Sequence, residues 1–199
     1  MPAAFPERLR VFAEILVRVG LNLRPGQRLL IAEPYELYGV DPAAAGLVAA
    51  VRAAAGVETT VQWHGRDQLR TLAAARDYRR LSAHLALCTR EMQAFLHRGD
   101  ALLFLQGSQA GLFAGLSEEI PAEVHRIGWE HFGPIAQQLM QGATNWTVAP
   151  APAPAWAEVA YPDLPPERRM DALWEDVFDA FQLRSASSAG VPPSDPFSA

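Results

Sequence analysis

The run of apolar residues at positions 101–105 constrains the fold more than any other part of the sequence. It reads Ala-Leu-Leu-Phe-Leu, with no polar residue to face solvent on either side of a strand. A second run, at 28–32, ends in four consecutive apolar residues. Strands that are apolar on both sides are typical of parallel sheets covered by helices, whereas half-solvated antiparallel strands alternate apolar and polar positions. The two runs therefore predict central strands of a parallel sheet.

Helical and strand patterns alternate along the rest of the chain. Further strands are predicted at residues 58–63 and 146–149, where β-branched and aromatic residues cluster. Helices are predicted at residues 6–20, 43–55, 67–98, 121–141, 153–159 and 165–181. Short joints between strand, helix and strand favour parallel pairing through right-handed crossovers. We expect an α/β fold: an open, mostly parallel sheet of at least four strands with helices on both faces.

Helix ends can be assigned from capping residues. The first helix should bury an apolar stripe that includes Phe12, Leu16 and Val19, and Gly20 is placed to end it. Asp41 with the following proline predicts the start of the second helix, and Gly56 predicts its end. The long helical region 67–98 is expected to break near Asp77. Residues 1–183 are predicted to form one domain, and residues 184–199, rich in Ser, Ala, Pro and Gly, a linker.

Composition excludes several classes of function. The 199 residues are 50% hydrophobic and carry a net charge of −5 without a basic cluster, which argues against a nucleic-acid surface. No apolar run approaches the roughly 20 residues that span a bilayer, and no secretory leader is visible, so a soluble cytoplasmic protein is expected. Cys88 is the single cysteine, which rules out an internal disulfide; its helical apolar neighbours predict a buried thiol.

Metal and nucleotide motifs are not found. The five histidines include no pair three or four residues apart, and H-E-x-x-H is missing; His125 and His131 would diverge around one helix. The glycine-rich loops that bind dinucleotides or phosphates are also missing. We therefore assign no catalytic, cofactor-binding or metal-binding residue to this chain.

Three polar residues nevertheless follow predicted strands directly. Glu33, His64 and Ser108 should lie at one edge of the sheet, where open α/β sheets place ligands. They form the best local hypothesis for a binding site, with ordinary turn chemistry as the alternative for Ser108. The tryptophans at 146, 156 and 174 could likewise form a stacking platform, but core packing is the favoured interpretation.

The C-terminal third carries a set of short motifs in a fixed order. They are Trp146-Thr147, Pro-Ala-Trp-Ala at 154–157, Tyr-Pro-Asp-Leu-Pro-Pro-Glu at 161–167, and Leu173-Trp174. Together they resemble the thermophilic-type metallo-aminopeptidases of the aminopeptidase T and aminopeptidase S kind. Earlier support comes from the first helix, the Pro-Gly-Gln turn at 25–27 and the Gly-Ser at 107–108, so that the resemblance spans residues 5–182. The chain departs from the family pattern at Tyr161, where Phe is usual, and at 109–110, where acidic residues and proline are common.

The resemblance implies an N-terminal domain of a protein about twice this length. The C-terminal half would hold two divalent metal ions, zinc or cobalt, which activate water and polarise the scissile carbonyl of a peptide substrate. Their ligands would lie beyond residue 199, so the chain resembles a piece cut from mid-protein and is expected to bind no metal and to be inactive alone. A homodimer is also implied. The alternative is a non-catalytic binding or assembly module of the same fold that lacks the enzymatic half.

Overall fold

A parallel four-stranded sheet forms the centre of the molecule. The computed structural model describes residues 5–32, 44–62, 65–107 and 112–183. Its strands are β1 (Leu29–Ala32), β2 (Thr59–Gln62), β3 (Ala101–Gln106) and β4 (Trp146–Pro150), in the order β2-β1-β3-β4 and all parallel. The helices are α1 (Phe5–Ile15), α2 (Ala45–Ala55), α3 (Arg66–Ala74), α4 (Tyr78–Arg98), α5 (Glu119–Met140), α6 (Pro154–Ala160) and α7 (Pro166–Ala180). The predicted fold class is confirmed.

Both faces of the central strands are buried, as their uninterrupted apolar character predicts. Leu29, Ile31 and Leu103 pack with α1, α2 and α7 on one face. Leu30 and Phe104 point to the other face and pack with α4 and α5. β1 is fully buried along its length, and β3 up to its last residue. The alternation of side chains along each strand thus divides the core into two layers.

The first helix differs from its predicted stripe near its end. After α1 the chain continues as one π-helical turn, Leu16–Gly20, and the Leu21 amide donates to the Leu16 carbonyl. The wider turn rotates the following residues, so Val17 and Leu21 are buried and Val19 is exposed, contrary to the prediction. Gly20 ends the turn, but it does not adopt a left-handed conformation. Glycine instead allows close packing there, because a Cβ at this position would lie 3.3 Å from the Thr147 side chain.

Other helix ends agree with the sequence. Gly56 ends α2 in a left-handed conformation at φ 60°. Asp77 separates α3 from α4, and its side chain accepts a hydrogen bond from the Arg80 amide at 3.1 Å. The predicted start of α2 at Asp41 lies outside the described residues, as does the predicted linker 184–199.

A buried carboxylate fastens the amino-terminal end of the sheet. Asp100, just before β3, accepts hydrogen bonds from the Arg28 amide (2.9 Å), from Arg28 Nε (3.1 Å) and Nη2 (2.7 Å), and from Arg98 Nε (2.9 Å). The backbone carbonyl of Asp100 also accepts a hydrogen bond from the Thr144 hydroxyl at 2.8 Å. Both guanidinium groups lie over the ring of Phe95. One side chain therefore joins the starts of β1 and β3 to the end of α4.

Helices α4 and α5 extend past the sheet. The 21 residues of α4 span about 30 Å, against about 20 Å for the six residues of β3. Only the C-terminal half of α4 packs on the strands; Leu81 and Leu85, in its N-terminal half, pack with α3 and with Val124 of α5. This third apolar cluster supports a helical extension next to the carboxyl end of the strands.

Candidate functional site

The carboxyl edge of the sheet is where the sequence places its candidate site. β1 and β2 end together, because Ala32 is in register with Gln62, whereas β3 extends two residues past Phe104, the partner of Ala32, to Gln106. Glu33, His64 and Ser108 follow these strand ends within one or two residues. All three lie outside the described residues, so their proposed site stays a prediction.

The described part of this edge is held in place by α4. Gln62, the last residue of β2, is buried and donates from Nε2 to the Cys88 carbonyl (3.1 Å) and to Glu91 Oε2 (2.8 Å). Cys88 is buried, with its sulfur 4.0 Å from His84 Nε2. The prediction of a buried thiol is confirmed.

The end of β3 lies tightly against the chain that leaves β4. The Ala151 amide donates to the Gln106 carbonyl at 2.8 Å. A Cβ on Gly107 would lie 2.9 Å from the Ala151 carbonyl oxygen, closer than side-chain atoms normally approach. Glycine is therefore required for this packing at the carboxyl edge.

Arg70 on α3 organises the segment that follows the third strand. Its guanidinium donates to the carbonyls of Leu112 and Ala114, the latter at 2.8 Å. These two hydrogen bonds hold residues 112–114 against α3. No local pattern in the sequence marks Arg70, because its hydrogen bonds join residues more than forty positions apart.

The described residues do not fit a metal centre. Across residues 5–32, 44–62, 65–107 and 112–183, no group of three or more His, Cys, Asp and Glu side chains could hold an ion. The Nε2 atom of His131 is hydrogen-bonded to the Ser82 hydroxyl at 2.8 Å, which links α5 to α4, and His125 is exposed.

Among the described residues, 5–32, 44–62, 65–107 and 112–183, no helix is long and apolar enough to cross a membrane.

Trp146 and Trp174 do not share a stacking platform. Trp146 lies on the α5 side of the sheet, with its ring 6.4 Å from Phe104 and its Nε1 donating to the Leu139 carbonyl at 3.1 Å. Trp174 lies on the opposite face, edge-on to Phe5 with ring centroids 5.4 Å apart. The stacking hypothesis is wrong because the sheet separates these two rings, and core packing is confirmed for both.

The Tyr-Pro-Asp-Leu-Pro-Pro-Glu motif forms a braced turn between α6 and α7. The Tyr161 hydroxyl is hydrogen-bonded to Asp176, which together with partial burial raises the pKa of Tyr161 to about 12. Arg169 donates to the Leu164 carbonyl (2.8 Å) and the Pro162 carbonyl (2.9 Å). These hydrogen bonds therefore join the turn to α7.

Helix α7 is fastened to α1 by a paired charge. The buried Arg8 guanidinium binds both carboxylate oxygens of Glu175, lies over the Phe178 ring and reaches the Leu183 carbonyl at 3.5 Å. The hydrogen bond from Arg8 lowers the pKa of Glu175. An open groove of about 420 Å³ runs along α7 beside this pair. It is lined by Leu164, Pro165, Arg168, Asp171, Ala172 and Glu175.

Known proteins share both the sequence and the fold. Aminopeptidase T of Thermus thermophilus is 30% identical over 177 residues, which are 89% of this chain and 43% of that protein. Aminopeptidase PepS of Streptococcus thermophilus is 27% identical over 179 residues, or 87% and 42% of the two chains. The solved structure of wild-type AmpT from Thermus thermophilus superposes with a TM-score of 0.77 at 28% identity, over 89% of this chain and 44% of that one.

The chain thus spans less than half the length of the aminopeptidases it matches. The model of the thermophilic metalloprotease family M29 matches residues 5–189, nearly the whole sequence. The resemblance noted from the motifs is confirmed: this chain belongs to the thermophilic metalloprotease family M29.

Proposed function

We propose that residues 1–183 form the N-terminal α/β domain of a metal-dependent aminopeptidase that hydrolyses N-terminal residues from peptides. The observation that supports this most is the pattern of coverage: relatives named aminopeptidases align over about nine-tenths of this chain and less than half of their own length. Residues 184–199 would then be the linker to a C-terminal catalytic domain.

The contribution of this domain would be structural. The carboxyl edge of the sheet and the helical extension of α3, α4 and α5 would form one wall of the substrate cavity and restrict access to small peptides. Arg70 and Gln62 support this role, because they fasten the chain next to that edge to α3 and α4. Rigid walls position a substrate and exclude water without taking part in bond cleavage.

The metal chemistry is assigned to the remainder of the parent protein. By analogy with the family, two divalent ions, zinc or cobalt, would be bound there by residues outside this chain. The 199-residue chain alone is expected to be inactive. The parent would act on peptide substrates and form a homodimer; a cytoplasmic location stays a prediction.

The test begins with the reading frame downstream of Ala199. The frame is expected to continue, and its full product should release leucine from a leucyl dipeptide when cobalt or zinc is added and not in the presence of a chelator. The 199-residue chain should release none under the same conditions. Robust release by the short chain would refute its predicted inactivity. A stop codon after Ala199 would favour the non-catalytic module.

A further inference from the structure

The topology of the sheet opens a crevice at the carboxyl ends of β1 and β3. The chain that leaves β1 passes through α2, on the face that also carries α1 and α7, to reach β2. The chain that leaves β3 passes through α5, on the opposite face, to reach β4. Open parallel sheets bind ligands where two connections diverge in this way, outside the carboxyl ends of the strands. The crevice is therefore the expected position of a ligand.

Helix α6 borders this crevice on the side of β4. Ala153, the residue before α6, lies against the end of β3, because its Cβ is 3.7 Å from the position that a Cβ on Gly107 would occupy. Trp156 follows Ala153 by three residues, and residues three apart lie side by side along a helix. The helix therefore places Trp156 next to the carboxyl end of β3.

Core packing does not account for Trp156 as it does for the other two tryptophans of the C-terminal motifs. Trp146 donates its indole N–H to the Leu139 carbonyl, and Trp174 packs edge-on to a phenylalanine ring. Trp156 is only partly buried and belongs to none of the three apolar clusters that the described residues form. Within those residues it has neither a hydrogen bond nor a ring partner. Its ring and its N–H can therefore both contact a ligand.

The sequence around Trp156 is uncharged. From residue 141 to residue 157 it contains no Asp, Glu, Lys, Arg or His. Glu158 is the first charged residue after Trp156; it is exposed and lies about 200° further around α6. An uncharged surface with an aromatic ring favours an apolar side chain over a charged one. The indole N–H is a donor, so it fits the carbonyl oxygen of a peptide bond.

We propose that Trp156 contacts the peptide substrate: its ring packs against an apolar side chain of the peptide, and its indole N–H donates to a peptide carbonyl. This inference rests on the proposed function and names a residue through which the N-terminal domain selects substrates. Peptides of leucine and phenylalanine bind better than peptides of glycine, which offer no side chain to the ring. A contact of this kind changes binding by about tenfold.

The direct test observes each tryptophan separately in the 199-residue chain. Labelling with fluorotryptophan gives every tryptophan its own fluorine NMR signal, and Trp156→Phe and Trp129→Phe identify two of them. Titration with leucyl-phenylalanine should shift the Trp156 signal and saturate at roughly millimolar concentrations. Glycyl-glycine should leave that signal unchanged. Trp129 is the control, because it is 48% exposed but packs beside Phe132 on the α5 face of the sheet, so its signal should not move.

Kinetics of the active parent enzyme give a second readout. Trp156→Ala should raise KM for leucyl-phenylalanine about tenfold and leave kcat unchanged, and Trp129→Ala should change neither. A Trp156 signal that stays fixed, that moves equally with glycyl-glycine, or that moves no more than the Trp129 signal would overturn the proposal, as would an unchanged KM. Because the NMR titration needs no peptidase activity, an inactive parent would contradict the proposed function while peptide binding at Trp156 still stands or fails on its own signal.

Discussion

The carboxylate of Asp100 gives the most quantitative prediction for the stability of this fold. Asp100→Ala removes an acceptor that is 4% exposed and that serves one backbone amide and two guanidinium groups. Breaking a buried ion pair by removing one partner costs about 3–5 kcal/mol. Here the side chains of Arg28 and Arg98 are 31% and 45% exposed and can regain water, so the lower end of that range applies. The Arg28 amide, left without its acceptor, contributes about 1–2 kcal/mol of the total.

We therefore expect Asp100→Ala to lower the free energy of unfolding by about 3 kcal/mol, as measured by urea denaturation followed by tryptophan fluorescence. For a chain of this size the thermal midpoint should fall by about 6–12 °C. Asp100→Asn keeps an oxygen for the Arg28 amide and should cost roughly half as much. The matched control, Glu123→Ala, removes a carboxylate from an exposed pair with Arg126 and should leave the midpoint nearly unchanged.

Equal midpoints for Asp100→Ala and Glu123→Ala would refute the reasoning, because they would show that the buried carboxylate does not hold the strand ends together. A loss in Asp100→Asn as large as that in Asp100→Ala would show that the charge, and not the acceptor oxygen, supplies the stability.

Three further predictions concern α7 and the carboxyl edge. Arg8 lowers the pKa of Glu175 in the folded state, so the ion pair stabilises the fold at neutral pH, and this stabilisation is lost as pH falls through the lowered pKa. Glu175→Gln should therefore reduce the difference between the urea midpoints measured at pH 7 and at pH 3. The hydrogen bond to Asp176 raises the pKa of Tyr161 to about 12, so it stabilises the fold below the ordinary tyrosine pKa, and this contribution is lost as pH rises through 12. In an ultraviolet titration of the tyrosines, Tyr161→Phe should remove the ionisation step that occurs at the highest pH. Gly107→Ala should lower stability by about 1–3 kcal/mol in thermal denaturation, because its Cβ would press on a carbonyl 2.9 Å away, and an unchanged midpoint would contradict that packing.

The fold could be predicted from the sequence because its signals are local and strong. The apolar runs that became β1 and β3 have no polar face, and Asp77 has a capping side chain at a break in the helical pattern. Val19 could not be placed, because the period of 3.6 residues assumes an α-helix and the π-helical turn shifts every side chain after it. Gly20 likewise serves a contact with Thr147 that only the folded chain creates.

The site was less accessible to sequence reasoning. Arg70 acts through residues more than forty positions away in the chain, so neither spacing nor composition marks it. The tryptophans are close in sequence, yet Trp146 and Trp174 pack on opposite faces of the sheet, which the motif alone does not show. The motif did identify the family, because the order of its pieces is specific even though their individual roles are structural.

The central proposal is that this chain is the N-terminal domain of a metallo-aminopeptidase. The most direct measurement replaces the aligned N-terminal part of Thermus thermophilus aminopeptidase T by residues 1–183 and records the release of leucine from a leucyl dipeptide with added cobalt or zinc. The chimaera should be active, should lose activity with a chelator, and should exceed the isolated C-terminal remainder at equal concentration. A folded, metal-loaded chimaera no more active than that remainder would contradict the account.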